Sequence, residues 1–184
     1  MAKVLVPLAD GFEEIEAVTT IDLLRRAGIE VIVAGLTETR VTGSHGITME
    51  ADSVLDDALL EDYDMIALPG GMPGADNLES DPRIITILRD MAGRERFTAA
   101  ICAAPKVLAA AGLLDDKRAT SYPGFLDAAR TPGLVVTDAT VEQHGKVITS
   151  RGPGTAMDFG LVLIENLVGR AGRDAIESAL QRPS

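Results

Sequence analysis

The sequence predicts a three-layer α/β fold with a mainly parallel central sheet and helices on both faces. Three observations carry that expectation. Short apolar runs at Lys3 to Leu8, Glu30 to Leu36, Met65 to Leu68 and Phe97 to Ile101 read as strands buried on both sides. Helix-like stretches alternate with them, as in successive β-α-β units. Hydrophobic residues make up 46% of the 184 residues, enough to bury one sizeable core, so a single domain over residues 1–184 is expected.

Taken in order, the run from Lys3 to Leu8 is the first strand, and Glu14 to Ala27 the first helix. Ile15, Val18, Ile21 and Leu24 recur along that helix at helical spacing. Gly28 follows Arg25, Arg26 and Ala27 as a C-terminal stop, and the acidic group Glu13, Glu14 and Glu16 suits the positive end of the helix dipole. Val41 to Ala51, turned around Gly43 and Gly46, reads as a small hairpin. Pro69 to Gly74 holds three glycines and two prolines and is expected as a loop. Ser80, Asp81 and Pro82 cap a helix running to about Gly93. The strand ending at Ile101 leads through Cys102 into a helix closed by Gly112. Val135-Val136, Val141 to His144 and Val147 to Ser150 give further strands, the last two joined at Gly145-Lys146. Pro153 opens a long helix to Val168, and a shorter one runs from Ala171 to Leu180.

Composition excludes several classes. Seventeen basic and 28 acidic residues leave a net charge of −11 with no basic patch, so a nucleic acid is not an expected partner. The lone cysteine, Cys102, forms no intramolecular disulfide and suits a reducing, cytoplasmic setting. Val4 to Leu8 is too short for a secretory signal, and Phe159 to Val168 is too short to span a bilayer. His45, His144 and Cys102 are spaced unlike any metal-ligand pattern, and phosphate-loop and dinucleotide glycine motifs are absent, so neither metal nor cofactor is expected.

Ligands of such sheets bind beyond the carboxyl ends of the strands. Ala9 to Glu16, Pro69 to Gly74 and Cys102 to Pro105 are predicted to meet there. Cys102 in a strand-to-helix turn lies near free backbone N–H groups, which favour thiolate, although a lone cysteine is equally at home as a small core hydrophobe. Gly70-Gly71 could present N–H groups to an oxyanion or form an ordinary tight turn. Glu16 could serve Cys102 as acid–base partner or be a solvated charge at a helix start.

Four ordered motifs decide among these alternatives. Leu8-Ala-Asp-Gly-Phe-Glu-Glu-Ile-Glu16, Leu68-Pro-Gly-Gly71, Ala99-Ala-Ile-Cys-Ala-Ala-Pro105 and Thr149-Ser-Arg-Gly-Pro-Gly-Thr155 together resemble the ThiJ/PfpI superfamily, in its branch of Parkinsonism-associated deglycases. The resemblance runs from Lys3 into the last long helix. It implies a flavodoxin-like sandwich forming a homodimer, with Cys102 as nucleophile, Glu16 as its carboxyl partner, and backbone N–H groups of Gly70, Gly71 and Ala103 lining an anion pocket. It also implies a small dicarbonyl substrate or glycated adducts, cofactor-free glyoxalase conversion of methylglyoxal to lactate, and deglycase chemistry. The alternative role is an oxidative-stress sensor or redox-regulated chaperone acting through oxidation of Cys102.

The chain departs from its relatives at Tyr122, where some carry a histidine, so a Cys-His relay is not expected. His45 falls near where relatives place an arginine close to the dimer's pocket, and Arg26 near the expected interface; both also read as ordinary surface charges. Ala103 stands where peptidase-like members have histidine, which argues against peptidase activity.

Overall fold

Residues 1–182 are described by a computed structural model, and the last two residues of the expected 1–184 domain lie outside the described residues. The chain runs β1 (Lys3–Leu8), α1 (Glu14–Arg26), β2 (Glu30–Gly35), β3 (Arg40–Thr42), β4 (Thr48–Glu50), β5 (Ser53–Val54), α2 (Leu55–Ala58), β6 (Met65–Leu68), α3 (Gly74–Ser80) and α4 (Pro82–Gly93). It continues through β7 (Phe97–Ile101), α5 (Pro105–Ala110), β8 (Arg118–Ala119), β9 (Val135–Val136), β10 (Val141–His144), β11 (Val147–Ser150), a short 3₁₀ turn over Pro153–Thr155, and α6 (Ala156–Ala179).

The main sheet has seven strands in the order β10-β11-β7-β6-β1-β2-β5. Every pairing is parallel except β10 with β11, which form a hairpin at one edge. Each central strand is apolar on both faces because helices cover both. Val4, Val6, Met65, Ala67, Ala99 and Ile101 pack under α1 and α6, while Leu5, Ile66, Leu68 and Ala100 pack under α3, α4 and α5. The expected three-layer arrangement is the observed one. β1 to β2 steps one way across the sheet and β6 returns on the other side of β1, so the crevice between the carboxyl ends of β1 and β6 is a topological switch point.

Several local readings are corrected. The short elements β5, α2, α3 and β8 span two to seven residues and carry too little periodicity to be legible. Val135-Val136 does not join the main sheet but pairs with Arg118-Ala119. The expected hairpin from Val41 to Ala51 is present as β3 and β4, outside the main sheet. The two late helices form one element broken at Gly169, whose φ of 83° and ψ of 170° are not helical. Ile15 and Val18 share helical spacing with Ile21 and Leu24, yet they are 55% and 46% exposed while the latter pair is buried. Periodicity locates a stripe on a helix but not the limit of what covers it.

One buried group is at odds with its surroundings. Thr20 on α1 is buried and its hydroxyl has no hydrogen-bond partner among the described residues. An isosteric methyl removes that desolvation penalty. Thr20→Val is expected to stabilise the protein by about 1 kcal/mol and raise Tm by roughly 2–4 °C in a thermal melt. A lower Tm would mean that the hydroxyl is satisfied.

Candidate active site

β7 ends at Ile101 and delivers Cys102 into the turn before α5. Cys102 has a φ of 65°, the left-handed region that a side chain adopts at a cost of order 1 kcal/mol. Two hydrogen bonds hold it there. Its N–H donates to the Ser150 carbonyl at 2.9 Å, and its own carbonyl accepts the Tyr122 N–H at 2.8 Å. The strand-to-helix turn thus projects the sulfur away from the sheet, into the crevice where β1 and β6 end.

The facing wall is the start of α1. Glu13 is its N-cap, with its carboxylate accepting the Glu16 N–H at 2.7 Å, and its own N–H donates to the Gly70 carbonyl at 2.9 Å. This ties α1 to the Pro69-Gly70-Gly71 loop. Glu16, fully buried, accepts the Gly70 N–H on Oε2 at 2.8 Å. Its Oε1 has no hydrogen-bond partner among the described residues, and Cys102 lies close enough to draw the carboxyl's pKa down.

The diglycine is required by closeness. A β-carbon on Gly70 would stand 2.7 Å from the Cys102 β-carbon and 2.8 Å from Glu16 Oε2. At Gly71, φ is 88° and a β-carbon would lie 2.3 Å from the Glu13 nitrogen. With no side chains in the way, the loop backbone reaches the sulfur. The N–H groups of Gly71 and Ala103 face it and draw the thiol's pKa down.

This corrects one assignment within the anion-binding set of Gly70, Gly71 and Ala103. The Gly70 N–H is committed to Glu16 Oε2, so it orients the carboxyl instead of lining the pocket. Gly71 and Ala103 remain the two backbone donors at the sulfur.

Burial pushes the Glu16 carboxyl up to about 7; hydrogen bonds from Cys102 and Gly70 oppose this, and the charge of Glu13 adds to it. Burial, and then the charge of an ionised Glu16, push the Cys102 thiol up, against the pull of the Gly71 and Ala103 N–H groups. The two groups therefore titrate as a pair. When one proton is left between them, the surrounding donors decide where it sits. A thiolate accepts from both N–H groups and from a Glu16 O–H. A thiol would face two N–H donors with a weak acceptor and leave a buried carboxylate oxygen bare. The arrangement favours thiolate beside carboxylic acid.

The glutamates of the helix start are not solvated charges. Glu13, Glu14 and Glu16 are only 6%, 5% and 0% exposed. Glu14 Oε1 accepts the backbone N–H groups of His45 at 2.7 Å and Ile47 at 3.3 Å, and Oε2 lies 2.9 Å from His45 Nδ1. Burial alone would raise this carboxyl, but the His45 ring and the backbone N–H groups outweigh it and hold it at about 2. Glu14 thereby fastens the β3–β4 hairpin to α1. Gly43 makes room, since a β-carbon there would meet Glu14 atoms at 2.4 Å.

The remaining sequence candidates divide. Tyr122 is bonded through its backbone to Cys102. His45, although its ring is exposed, is held by Glu14, which raises its pKa, and its bonds are to neither Cys102 nor Glu16. Ligand atoms of Glu13, Glu14 and His45 lie within 4.8 Å of one another, a grouping not legible in one dimension, but Glu13 and Glu14 already accept backbone N–H groups. Arg26 sits at the far end of α1, paired with Asp22 at 2.6 Å, and takes no part in the site. His144 accepts the Arg118 N–H at 3.1 Å on β10.

Comparison with known proteins finds relatives along nearly the whole chain. A family model described as the DJ-1/PfpI family matches residues 2–166. The Parkinson disease protein 7 homolog of Danio rerio is 42% identical over 170 residues, covering 91% of this chain and 90% of that protein. A deglycase of Pyrococcus abyssi is 33% identical over 152 residues, covering 83% of this chain and 91% of that protein. Protein DJ-1 homolog A of Arabidopsis thaliana is 40% identical over 179 residues, and the chain spans 46% of its length. The solved structure of oxidized Toxoplasma gondii DJ-1 superposes with a TM-score of 0.93 at 39% identity, with all of each chain covered.

Proposed function

This chain belongs to the DJ-1/PfpI family, and we propose that it is a cofactor-independent cysteine enzyme acting on reactive dicarbonyls, converting methylglyoxal to lactate without glutathione. One observation carries the reading: a buried carboxyl with a raised pKa lies against the only cysteine, which two backbone N–H groups also face. In a core without chemistry, that carboxyl would be an expensive substitute for a methyl group.

In this mechanism the Cys102 thiolate adds to the aldehyde carbon, and the π electrons move onto oxygen. The Gly71 and Ala103 N–H groups stabilise that oxyanion, and Glu16 supplies its proton to give a hemithioacetal. Glu16, now a carboxylate, removes the proton from the former aldehyde carbon to give an enediolate and returns a proton to the adjacent carbon, while the hydroxyl proton on the first oxygen passes to the second, leaving a thioester carbonyl and a new hydroxyl. The resulting lactoyl thioester takes up water, releasing lactate and restoring the thiol.

The archaeal relative is named a deglycase, and that name supports deglycase chemistry here. We infer further that the protein acts as a cytoplasmic homodimer. The single free thiol supports the compartment, and the exposed apolar residues Ile15 and Val18 on α1 and Ile47 in the hairpin support the interface. No helix among the described residues is long and apolar enough to cross a membrane.

The test is lactate release from methylglyoxal by reduced, folded protein without glutathione, and turnover is the expected result. Its absence would shift the reading to a redox sensor. The same three donors around Cys102 would hold the oxygens of a sulfinate, and with one cysteine there is no intramolecular resolving thiol.

A further inference from the structure

The carboxyl ends of β1 and β2 frame a second cavity, of about 400 Å³, on the side of β1 away from β6 and the catalytic crevice. Leu8, Ala9 and Val41, all buried, give it an apolar lining, and Asp10, Glu38 and Arg40 stand exposed around it. The backbone that shapes it is already fixed. The Leu36 N–H donates to the Leu8 carbonyl at 3.0 Å, and the Leu36 carbonyl accepts Arg83 Nη2 at 2.9 Å. The turn after β2 is so tight that a β-carbon on Gly35 would collide with the Glu38 carbonyl oxygen. On the other wall, Asp10 Oδ1 accepts the Thr42 N–H at 2.8 Å and the Asp10 carbonyl accepts Asn77 Nδ2 at 2.9 Å, tying the β1–α1 loop to β3 and α3.

Four charged side chains line this cavity, and they differ in what they already hold. Asp81 caps α4 and is bonded to Arg83 through both carboxylate oxygens. Glu38 and Arg40 have no ion-pair or side-chain hydrogen-bond partner among the described residues, and Asp10 has one carboxylate oxygen beyond the one that takes Thr42. Two negative groups and one positive group therefore face a single cavity without closing on one another.

A matching ligand carries the inverse set, two cations and one anion, on a short aliphatic stem. A phosphate or a dicarboxylate would meet two like charges for each opposite one. A basic α-amino acid has the required groups: an α-ammonium, a side-chain cation and an α-carboxylate, which a guanidinium binds through two parallel hydrogen bonds.

We propose that this cavity is a binding site for a free basic α-amino acid of the arginine or lysine type. Its carboxylate lies on Arg40, its two cationic groups on Asp10 and Glu38, and its methylenes along the apolar lining. The site goes beyond the chemistry at Cys102 and does not depend on it.

Calorimetric titration of the native protein at low ionic strength tests it, with Cys102 first blocked by iodoacetamide so that the catalytic sulfur takes no part. L-Arginine and L-lysine are expected to bind. L-Norleucine, which lacks the side-chain cation, and agmatine, which lacks the carboxylate, should bind about 2- to 5-fold more weakly, the range of one exposed ion pair. Arg40→Gln is expected to weaken L-arginine by about that factor and to leave agmatine unchanged, because the contact removed is to the carboxylate. Glu38→Gln and Asp10→Asn should weaken both. The tripeptide Gly-Gly-Arg keeps the side chain and carboxylate but displaces the ammonium, and should bind more weakly than L-arginine.

All three side chains are exposed, so the variants are expected to melt near the native temperature. Absent binding of L-arginine, equal binding of norleucine and agmatine, or affinities unmoved by Arg40→Gln and Glu38→Gln would each overturn the site. Gly-Gly-Arg binding as tightly as L-arginine would overturn the free amino acid in favour of a peptide end.

Discussion

Cys102→Ser is expected to abolish lactate formation from methylglyoxal, lowering kcat/KM by about a thousandfold or more. The elbow and its donors survive the change, because the N–H of residue 102, its carbonyl and the facing N–H groups of Gly71 and Ala103 belong to the backbone. What is lost is the ionisable atom. A serine hydroxyl stays protonated near neutral pH, and Glu16, already holding a proton there, is a poor base for it. The change replaces one side-chain atom by a smaller one, so a thermal melt close to that of the native protein is expected to accompany the loss of lactate. Normal turnover by the serine variant would remove Cys102 from the mechanism.

Glu16→Gln should lower kcat by roughly 10²- to 10⁴-fold and at the same time make the protein more stable. The activity falls because glutamine keeps the shape of the side chain but carries no transferable proton. The stability rises for a reason of sign. In the unfolded chain the carboxyl and thiol release protons near their ordinary values of 4.5 and 9.0, whereas the folded pair releases its first proton at about 7. Between pH 4.5 and 7 the folded state therefore binds more protons than the unfolded state, and stability from this pair declines as pH rises through that window. The difference amounts to roughly 3 kcal/mol at most. Denaturant unfolding of Glu16→Gln should show a flatter profile from pH 4.5 to 7 than the native protein. The native protein's reactivity toward iodoacetamide should rise as the pair loses its first proton, because the donors around sulfur draw that proton from the thiol. Slow alkylation persisting well above pH 9 would place that proton on sulfur instead.

Both predictions use a site whose main parts are legible in one dimension. Cys102 after an apolar run, Glu16 at a helix start and the diglycine after a buried strand are local patterns. Each records a backbone requirement: a tight strand-to-helix turn, a helix N-terminus, and a loop with no room for side chains. The alternation of apolar runs and helix-like stretches likewise predicts the sheet, because a strand covered on both faces is apolar throughout.

Other features were not legible because they are relations between distant segments. That the Gly70 N–H serves Glu16 and not the pocket depends on a contact across 54 residues. The burial of Glu14 depends on His45 and Ile47 folding back over α1 from the β3–β4 hairpin. Ile15 and Val18 look like core by spacing, yet no element of the described chain covers them. Short segments such as α3, with seven residues, hold their form through packing against neighbours more than through intrinsic propensity.

By itself, then, the sequence determined the α/β architecture, which follows from apolar residues leaving water, while the family motifs within it singled out the elbow cysteine and its glutamate. Only the tertiary structure decided the burial that raises the Glu16 carboxyl, which N–H groups face the sulfur, and how the β3–β4 hairpin covers Glu14. Those depend on desolvation and on distances of a few ångströms between segments far apart in the chain, and no local pattern of residues encodes either.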